Sequence, residues 1–307
     1  MQPPSIALRA QTGISRLLAD LARAPHFDPP LGGRDVFRPG DVAGRFELLR
    51  ELGRGGFGVV FEARDRELGR RVALKTVRPG APQAQARDSL EREIEAGRLK
   101  HPNIVTVLEA GRCHRGPFVV FELLDGETVG ERLSRGPLRV REVIDVAAAV
   151  TRALAHAHAR GVLHRDVKPG NVFLPSRGEA KIIDFGLAHV FGSGGPRGSG
   201  TSGYMAPEQR RGGPEDARTD LFALGLLIHE MATGEALLRR RGPADPDLAS
   251  SSAVPLPPAL ERIVERLVEH DPARRPGSAG EVLSRLREAT TERRRRAATG
   301  QRGEANP

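Results

Sequence analysis

The chain has 307 residues, 38% of them hydrophobic and 28% charged, enough for one large soluble globular domain or two smaller lobes with real cores. Its single cysteine, Cys113, excludes a disulfide framework within the chain and points to a reducing, cytoplasmic setting. No apolar run approaches the roughly 18–20 residues that span a bilayer, and MQPPSIALRA lacks the basic-then-apolar pattern of a secretory leader.

Residues 1–45 read as separate from the rest. Ile14, Leu17, Leu18 and Leu21 recur at helical spacing, so the segment predicts a short amphipathic helix that docks on the rest of the chain or on a partner. A Pro/Gly-dense linker or extended wrap follows it. From Phe46, the runs FELLREL, GVVFEARD and RRVALKTV predict an antiparallel meander. A helix is expected over 84–99, then strands at IVTVLEA and PFVVFEL. After Gly126 the pattern turns helical. Val143, Ala147, Val150 and Leu154 line one face of a long helix that ends before Gly161. Short strands fit VFL and AKII, and later helices fit 220–232, 260–268 and 279–288. The segment 191–203, with six glycines, reads as a loop. Residues 290–307 carry the Arg293–Arg296 run, the source of much of the +9 net charge, and read as a solvated, disordered tail. With no Trp and one Tyr, stacking platforms for single strands are scarce, and nucleic acid is set aside as a partner. Strands first and helices afterwards predict an α+β fold with two unlike lobes.

Only four of the 48 basic residues are lysine: Lys75, Lys100, Lys168 and Lys181. A lysine that survives in so arginine-rich a chain marks a place where a compact ammonium is wanted. Two of the four fall inside stretches with chemical content. LGRGGFGVV places Gly53, Gly55, Gly56 and Gly58 between two predicted strands, where glycines let a backbone approach phosphates. Lys75, in VALK on the next strand, can reach phosphates under such a loop, with an acidic partner on the following helix. Glu93 is preferred over Glu91 and Glu95, which point about 160–200° away around the helix. In HRDVKPGN, Asp166 can orient a hydroxyl and take its proton, Lys168 can neutralise a phosphoryl group in transit, and Asn171 can hold a metal ion. Asp184, in DFG, offers a second hard-oxygen ligand, a sparse set that suits Mg²⁺ with phosphate oxygens.

Together the Gly-rich loop, VALK, HRDVKPGN, DFG, GTSGYMAPEQ and DPARRP run in the order of the eukaryotic-like (Hanks-type) serine/threonine protein kinases of bacteria, which the chain resembles from about Phe46 to about Arg287. The resemblance implies a two-lobed kinase fold over 46–289, with a small antiparallel-sheet lobe over 46–124 carrying one main helix, and a larger, mostly helical lobe over 125–289. It implies ATP as phosphoryl donor, Mg²⁺ as cofactor and protein Ser/Thr hydroxyls as acceptors. Leu52, Gly53, Gly55, Gly56 and Gly58 cover ATP. Lys75 grips its α- and β-phosphates and pairs with Glu93. Val60, Ala73 and Phe173 sandwich the adenine. Phe121 is the gatekeeper, and Glu122 to Leu124 form the hinge. Asp166 is the catalytic base, assisted by Lys168, and Asn171 and Asp184 bind metal. Glu208 pairs with Arg275. Arg165 receives a phosphate from Ser193 or Ser199, while Thr201 bonds Asp166 and Lys168 near the substrate. The 235–259 region is short for the family, and a helix found there is reduced or absent. A pseudokinase, a nucleotide-binding scaffold without phosphotransfer, is the alternative. Its signature would be loss of Lys75, Asp166 or Asp184, and all three are present.

Overall fold

The computed structural model describes residues 37–55, 58–77, 99–113, 115–184, 202–236 and 256–303. They divide into two compact units. One takes in the described residues up to Lys100 together with Val105–Asp125, and the other His101–Ile104 and the described residues from Gly126 onward. This is the α+β arrangement of unlike lobes that the sequence predicts.

The described residues of the first unit contain one six-stranded antiparallel sheet. Its strands are β1 (Val42–Ala43), β2 (Phe46–Gly55), β3 (Gly58–Asp65), β4 (Arg71–Val77), β5 (Val107–Cys113) and β6 (Gly116–Glu122), in the order β1-β2-β3-β4-β6-β5. Alternation along the strands sorts side chains between two faces. Phe46, Leu48, Val59, Phe61, Ala63, Val72, Leu74, Phe118 and Val120 form a dry core on one face. Val119 and Phe121 lead a smaller cluster on the other, with Ala73, Val105, Val107 and Ala110. Phe118 meets Phe46 edge to face, with ring centroids 5.9 Å apart. The far end of its ring also abuts Gly111, where an added Cβ would fall 2.4 Å from its Cζ, so a larger residue there would displace a buried ring.

Two expectations need correction here. Residues 37–45 are not separate: Val42 and Ala43 pair with Glu47 and Phe46, and Phe37 is buried in the core cluster. The strand expected at IVTVLEA begins only at Val107. Ile104 instead makes an isolated parallel bridge to Ile182, and Asn103 accepts the Ile182 N–H through its carbonyl, so this stretch serves the second unit. The helix expected over 84–99 falls outside the described residues except for Leu99, which is buried but not helical.

The second unit holds α1 (Val129–Leu133), α2 (Val140–His158), α3 (Pro207–Arg210), α4 (Ala217–Thr233), α5 (Pro258–Leu267) and α6 (Ala279–Gly303). A small antiparallel sheet of β7 (Gly126–Thr128), β8 (Val172–Pro175) and β9 (Lys181–Ile182) completes it. Val143, Ala147, Val150 and Leu154 of α2 are all buried, as their spacing predicts, and so are Leu260, Ile263, Val264 and Leu267 of α5. Helix α4 is buried nearly all round. The Asp216 side chain caps its N-terminus by accepting from the Arg218 N–H, and Gly234, at φ +74°, ends it in the left-handed conformation. The short elements β1, β7, α1 and α3 give no periodic signal, because none is long enough to complete a repeat.

The C-terminus is a further correction. Helix α6 continues past Glu288 to Gly303, so the basic segment is helical rather than disordered along most of its length. Arg, Ala and Glu are strong helix formers, and the segment extends a helix already nucleated where buried Val282, Leu286 and Ala289 pack into the core. The amphipathic segment of residues 14–21, the 191–201 part of the glycine-rich loop and most of the 235–259 region lie outside the described residues.

Candidate active site

In the first unit, register places the predicted nucleotide-binding residues together. Val60 pairs with Lys75 across β3 and β4, Ala73 pairs with Phe121 across β4 and β6, and Lys75 pairs with Val119. Because Val59, Phe61, Val72 and Leu74 point into the dry core, the pleat sends Val60, Ala73 and Lys75 to the opposite face, shared with Val119 and Phe121. Lys75 is 9% exposed there. Gly53 pairs with Val60, and Gly55 with Gly58 at the mouth of the β2–β3 hairpin. A Cβ at Gly53 would meet nothing within 4 Å, so this stretch of backbone is uncovered, as a phosphate-binding loop requires. Leu52 is exposed on the same strand. The Glu122 N–H donates to the Thr106 carbonyl and its carboxylate accepts from the Thr106 N–H, which fixes the end of β6 ahead of Leu124. Gly56 and Glu93 lie outside the described residues.

In the second unit, His164 to Asn171 form a loop fixed from several sides. The His164 Nε2 faces the Ile183 carbonyl at 2.9 Å and must donate there, so its Nδ1 is the acceptor for the Asp166 N–H at 3.2 Å. The Asp220 carboxylate, from α4, accepts the backbone N–H groups of His164 at 2.8 Å and Arg165 at 2.7 Å, and the His158 Nε2–H at 2.8 Å. Burial alone would raise the Asp220 carboxyl. The bond and charge of His158, with His164 close by, hold it below the usual carboxylate range instead. Arg165 sits at φ +67° and Asp184 at φ +61°, a left-handed conformation that costs a non-glycine residue about 1–3 kcal/mol and collects at functional sites.

The reactive groups converge within this loop. The Asp166 carboxylate, 7% exposed, takes Lys168 Nζ at 2.7 Å and the Asn171 Nδ2–H at 2.8 Å, both on Oδ2. The Asn171 amide also donates to the Asp166 carbonyl at 2.9 Å. With its nitrogen spent, Asn171 has its side-chain oxygen left for a cation. Its main chain accepts the Ile183 N–H at 2.9 Å, which ties it to the strand end carrying Asp184. A carboxylate and an amide oxygen on one stitched framework fit a hard divalent cation. Half-buried Phe173, on β8, pairs with Thr128 and Lys181. Ser193, Ser199 and Thr201 lie outside the described residues.

Sequence reasoning missed Asp220, His158 and Glu215. A carboxylate at the head of the apolar run LFALGLLI was the available signal for the first, since a buried acid requires partners. The expected Glu208–Arg275 pair is present, bidentate and buried.

The protein kinase domain family matches residues 46–285. Serine/threonine-protein kinase PknD of Mycobacterium tuberculosis is 35% identical over 269 residues, covering 82% of this chain and 40% of that protein. The DNA damage-responsive serine/threonine-protein kinase RqkA of Deinococcus radiodurans is 40% identical over 204 residues, covering 63% of this chain and 30% of that protein. The chain thus spans less than half the length of either relative. Among solved structures, the kinase domain of Mycobacterium tuberculosis PknI superposes with a TM-score of 0.67 at 28% identity, covering 82% of this chain and 99% of that one.

Proposed function

The chain belongs to the protein kinase family, and we propose that it transfers the γ-phosphoryl group of ATP to serine and threonine hydroxyls of proteins. The observation that carries this reading is the Asp166 carboxylate held by Lys168 and Asn171 in a loop anchored on Asp220. Asp166 orients the acceptor hydroxyl and takes its proton as the new phosphorus–oxygen bond forms and the bond from the γ-phosphorus to the bridging oxygen breaks, with ADP leaving. Lys168 offsets the charge on the transferring group. Lys75, on the sheet face it shares with Val119 and Phe121, supplies the ammonium that grips the ATP phosphates. Asn171 and Asp184 would hold Mg²⁺, which when bound neutralises charge on those phosphates. Val60, Ala73 and Phe121 offer an apolar surface to the adenine. Lys168, following the catalytic carboxylate by two residues, supports Ser/Thr rather than Tyr acceptors. A substrate drawn from the ATP pool and a single thiol support action in the cytoplasm. Glu93 is the proposed partner of Lys75.

The test is incubation of the purified chain with labelled ATP and Mg²⁺ and a generic Ser/Thr acceptor, alongside Asp166→Asn. Label on the acceptor that disappears in the variant supports the reading. Equal label from both proteins overturns the assignment of Asp166, and label on neither overturns phosphotransfer.

A further inference from the structure

We infer that Glu215 is a positioning residue for phosphotransfer: it holds the Arg165 guanidinium, and with it the Arg165–Asp166 step of the catalytic loop, from inside the second unit. The inference rests on the kinase reading above. Arg165 adjoins the catalytic carboxylate, and its backbone is bonded on both sides. Its N–H donates to Asp220 Oδ1 at 2.7 Å and its carbonyl accepts from Gln209 Nε2 at 3.3 Å, while its Nε lies 3.1 Å from Glu215 Oε2 as an ion pair without hydrogen-bond alignment. The two side chains are 25% and 10% exposed, so this is not a solvent-screened surface pair. The backbone conformation at Arg165 is unfavourable for a side-chain-bearing residue and persists only where its surroundings over-determine it.

The origin of the carboxylate matters as much as its distance. Glu215 immediately precedes Asp216, whose side chain caps α4. Upstream, the N–H groups of Arg211 and Gly213 both bond the Glu208 carbonyl, and the Glu208 carboxylate is clamped by Arg275. Glu215 therefore comes from anchored backbone between α3 and α4. A half-buried guanidinium beside a catalytic acid needs a counter-charge, and the resemblance alone would assign that task to a phosphate on Ser193 or Ser199. Here a carboxylate supplies it from a rigid part of the large unit. Competence of the loop then does not depend on a phosphate, and Glu215 and any phosphate reaching Arg165 act on the same group.

The experiment uses the full chain with Ser193, Ser199 and Ser202 replaced by alanine, assayed for kcat and for KM of ATP on a generic acceptor. The parent is expected to transfer phosphate. Within it, Glu215→Gln is expected to lower kcat by about tenfold, since small misplacements of catalytic groups cost on that order, while KM for ATP changes by less than about twofold. Arg165→Gln is expected to show a similar loss, and the double variant to be no slower than Arg165→Gln alone, as two groups acting through one contact require. Melting temperatures verify folding. Should Glu215→Gln not fold, Glu215→Asp keeps the charge with a shorter reach, and an intermediate kcat is expected from it. Wild-type kcat in the Gln variant or in a folded Asp replacement, or losses that multiply in the double variant, overturn the inference. Absence of transfer by the unsubstituted chain overturns the kinase reading itself, and transfer by that chain with none by the alanine parent overturns only the independence from phosphate.

Discussion

Arg275 and Glu208 form a two-pronged ion pair inside the large unit, with Nη1 2.7 Å from Oε1 and Nη2 2.9 Å from Oε2. The remaining donors of Arg275 reach the carbonyls of Arg218, Glu269 and His270, and its guanidinium lies 4.8 Å over the Phe222 ring. Thr219 donates to Glu208 Oε1 at 3.0 Å. The pair thus joins α3, α4 and the turn after α5. Removing one partner strands a buried charge. Arg275→Met is therefore expected to cost about 3–5 kcal/mol in chemical denaturation, far above the cost of losing an exposed pair such as Arg285–Glu281.

The same carboxylate sets an acid limit. Burial works to raise the Glu208 carboxyl, but its bond to Arg275, with that of Thr219, leaves it below the ordinary glutamate value. A depressed carboxyl contributes stability that is present above the unfolded value and lost as pH falls through the folded one. Melting temperature is expected to decline from about pH 4.5 downward, and Glu208→Gln, already destabilised at neutral pH, is expected to show a shallower decline over that window. Parallel acid slopes in the two proteins would assign the effect to other carboxylates.

Most of the candidate site is readable in the chain because the proposed chemistry requires particular residues at fixed short spacings: Asp166, Lys168 and Asn171 lie in one six-residue loop. Their support is harder to read, because Asp220, His158 and Glu215 act through distances in space that no local pattern encodes. Periodicity located α2 and α5 because each buries a single stripe. It misjudged the basic terminus because a charge run reports the absence of an apolar face, not the absence of a helix, and Arg and Ala extend α6 by propensity. It began β5 early at Ile104, since an apolar residue buried in the neighbouring unit looks the same in sequence as one buried in the sheet.

Gly225 tests packing against propensity. In an open helix Gly→Ala gains roughly 1 kcal/mol. Here a Cβ would lie 2.7 Å from the Leu267 Cβ and 2.9 Å from Val268 Cγ1, so α4 and α5 would have to separate. Overpacking costs about 1–3 kcal/mol, and Gly225→Ala is expected to be net destabilising in urea unfolding. A stabilised variant would mean that the helices part freely.

Asp166→Asn separates chemistry from binding. The substitution keeps shape and can still accept from Lys168 and Asn171, but the amide cannot take a proton. Phosphotransfer is expected to fall by about 10²–10⁴-fold, the span typical of a lost general base, with ATP affinity nearly unchanged by calorimetry. Reduced ATP affinity with unaltered turnover would move Asp166 out of the catalytic role.

Asp220→Asn carries the argument to the loop's foundation. Asp220 accepts from three donors, and although burial works to raise its carboxyl, the contact with His158 holds it below the usual carboxylate range. The asparagine retains one acceptor oxygen for three donors and presents an amide N–H where an acceptor is needed. At least one of the His164 and Arg165 N–H groups then loses its partner, at about 1–3 kcal/mol for a buried group. The left-handed turn at Arg165 loses the bond that helps to hold it. Asp166 follows Arg165 directly, so its carboxylate shifts with the turn. The variant is expected to melt lower and to lose kcat by about tenfold or more, while KM for ATP changes little, because displacement of the base affects the reacting geometry more than nucleotide binding. A variant that melts lower but retains wild-type kcat at a temperature where it is folded would limit Asp220 to a structural role.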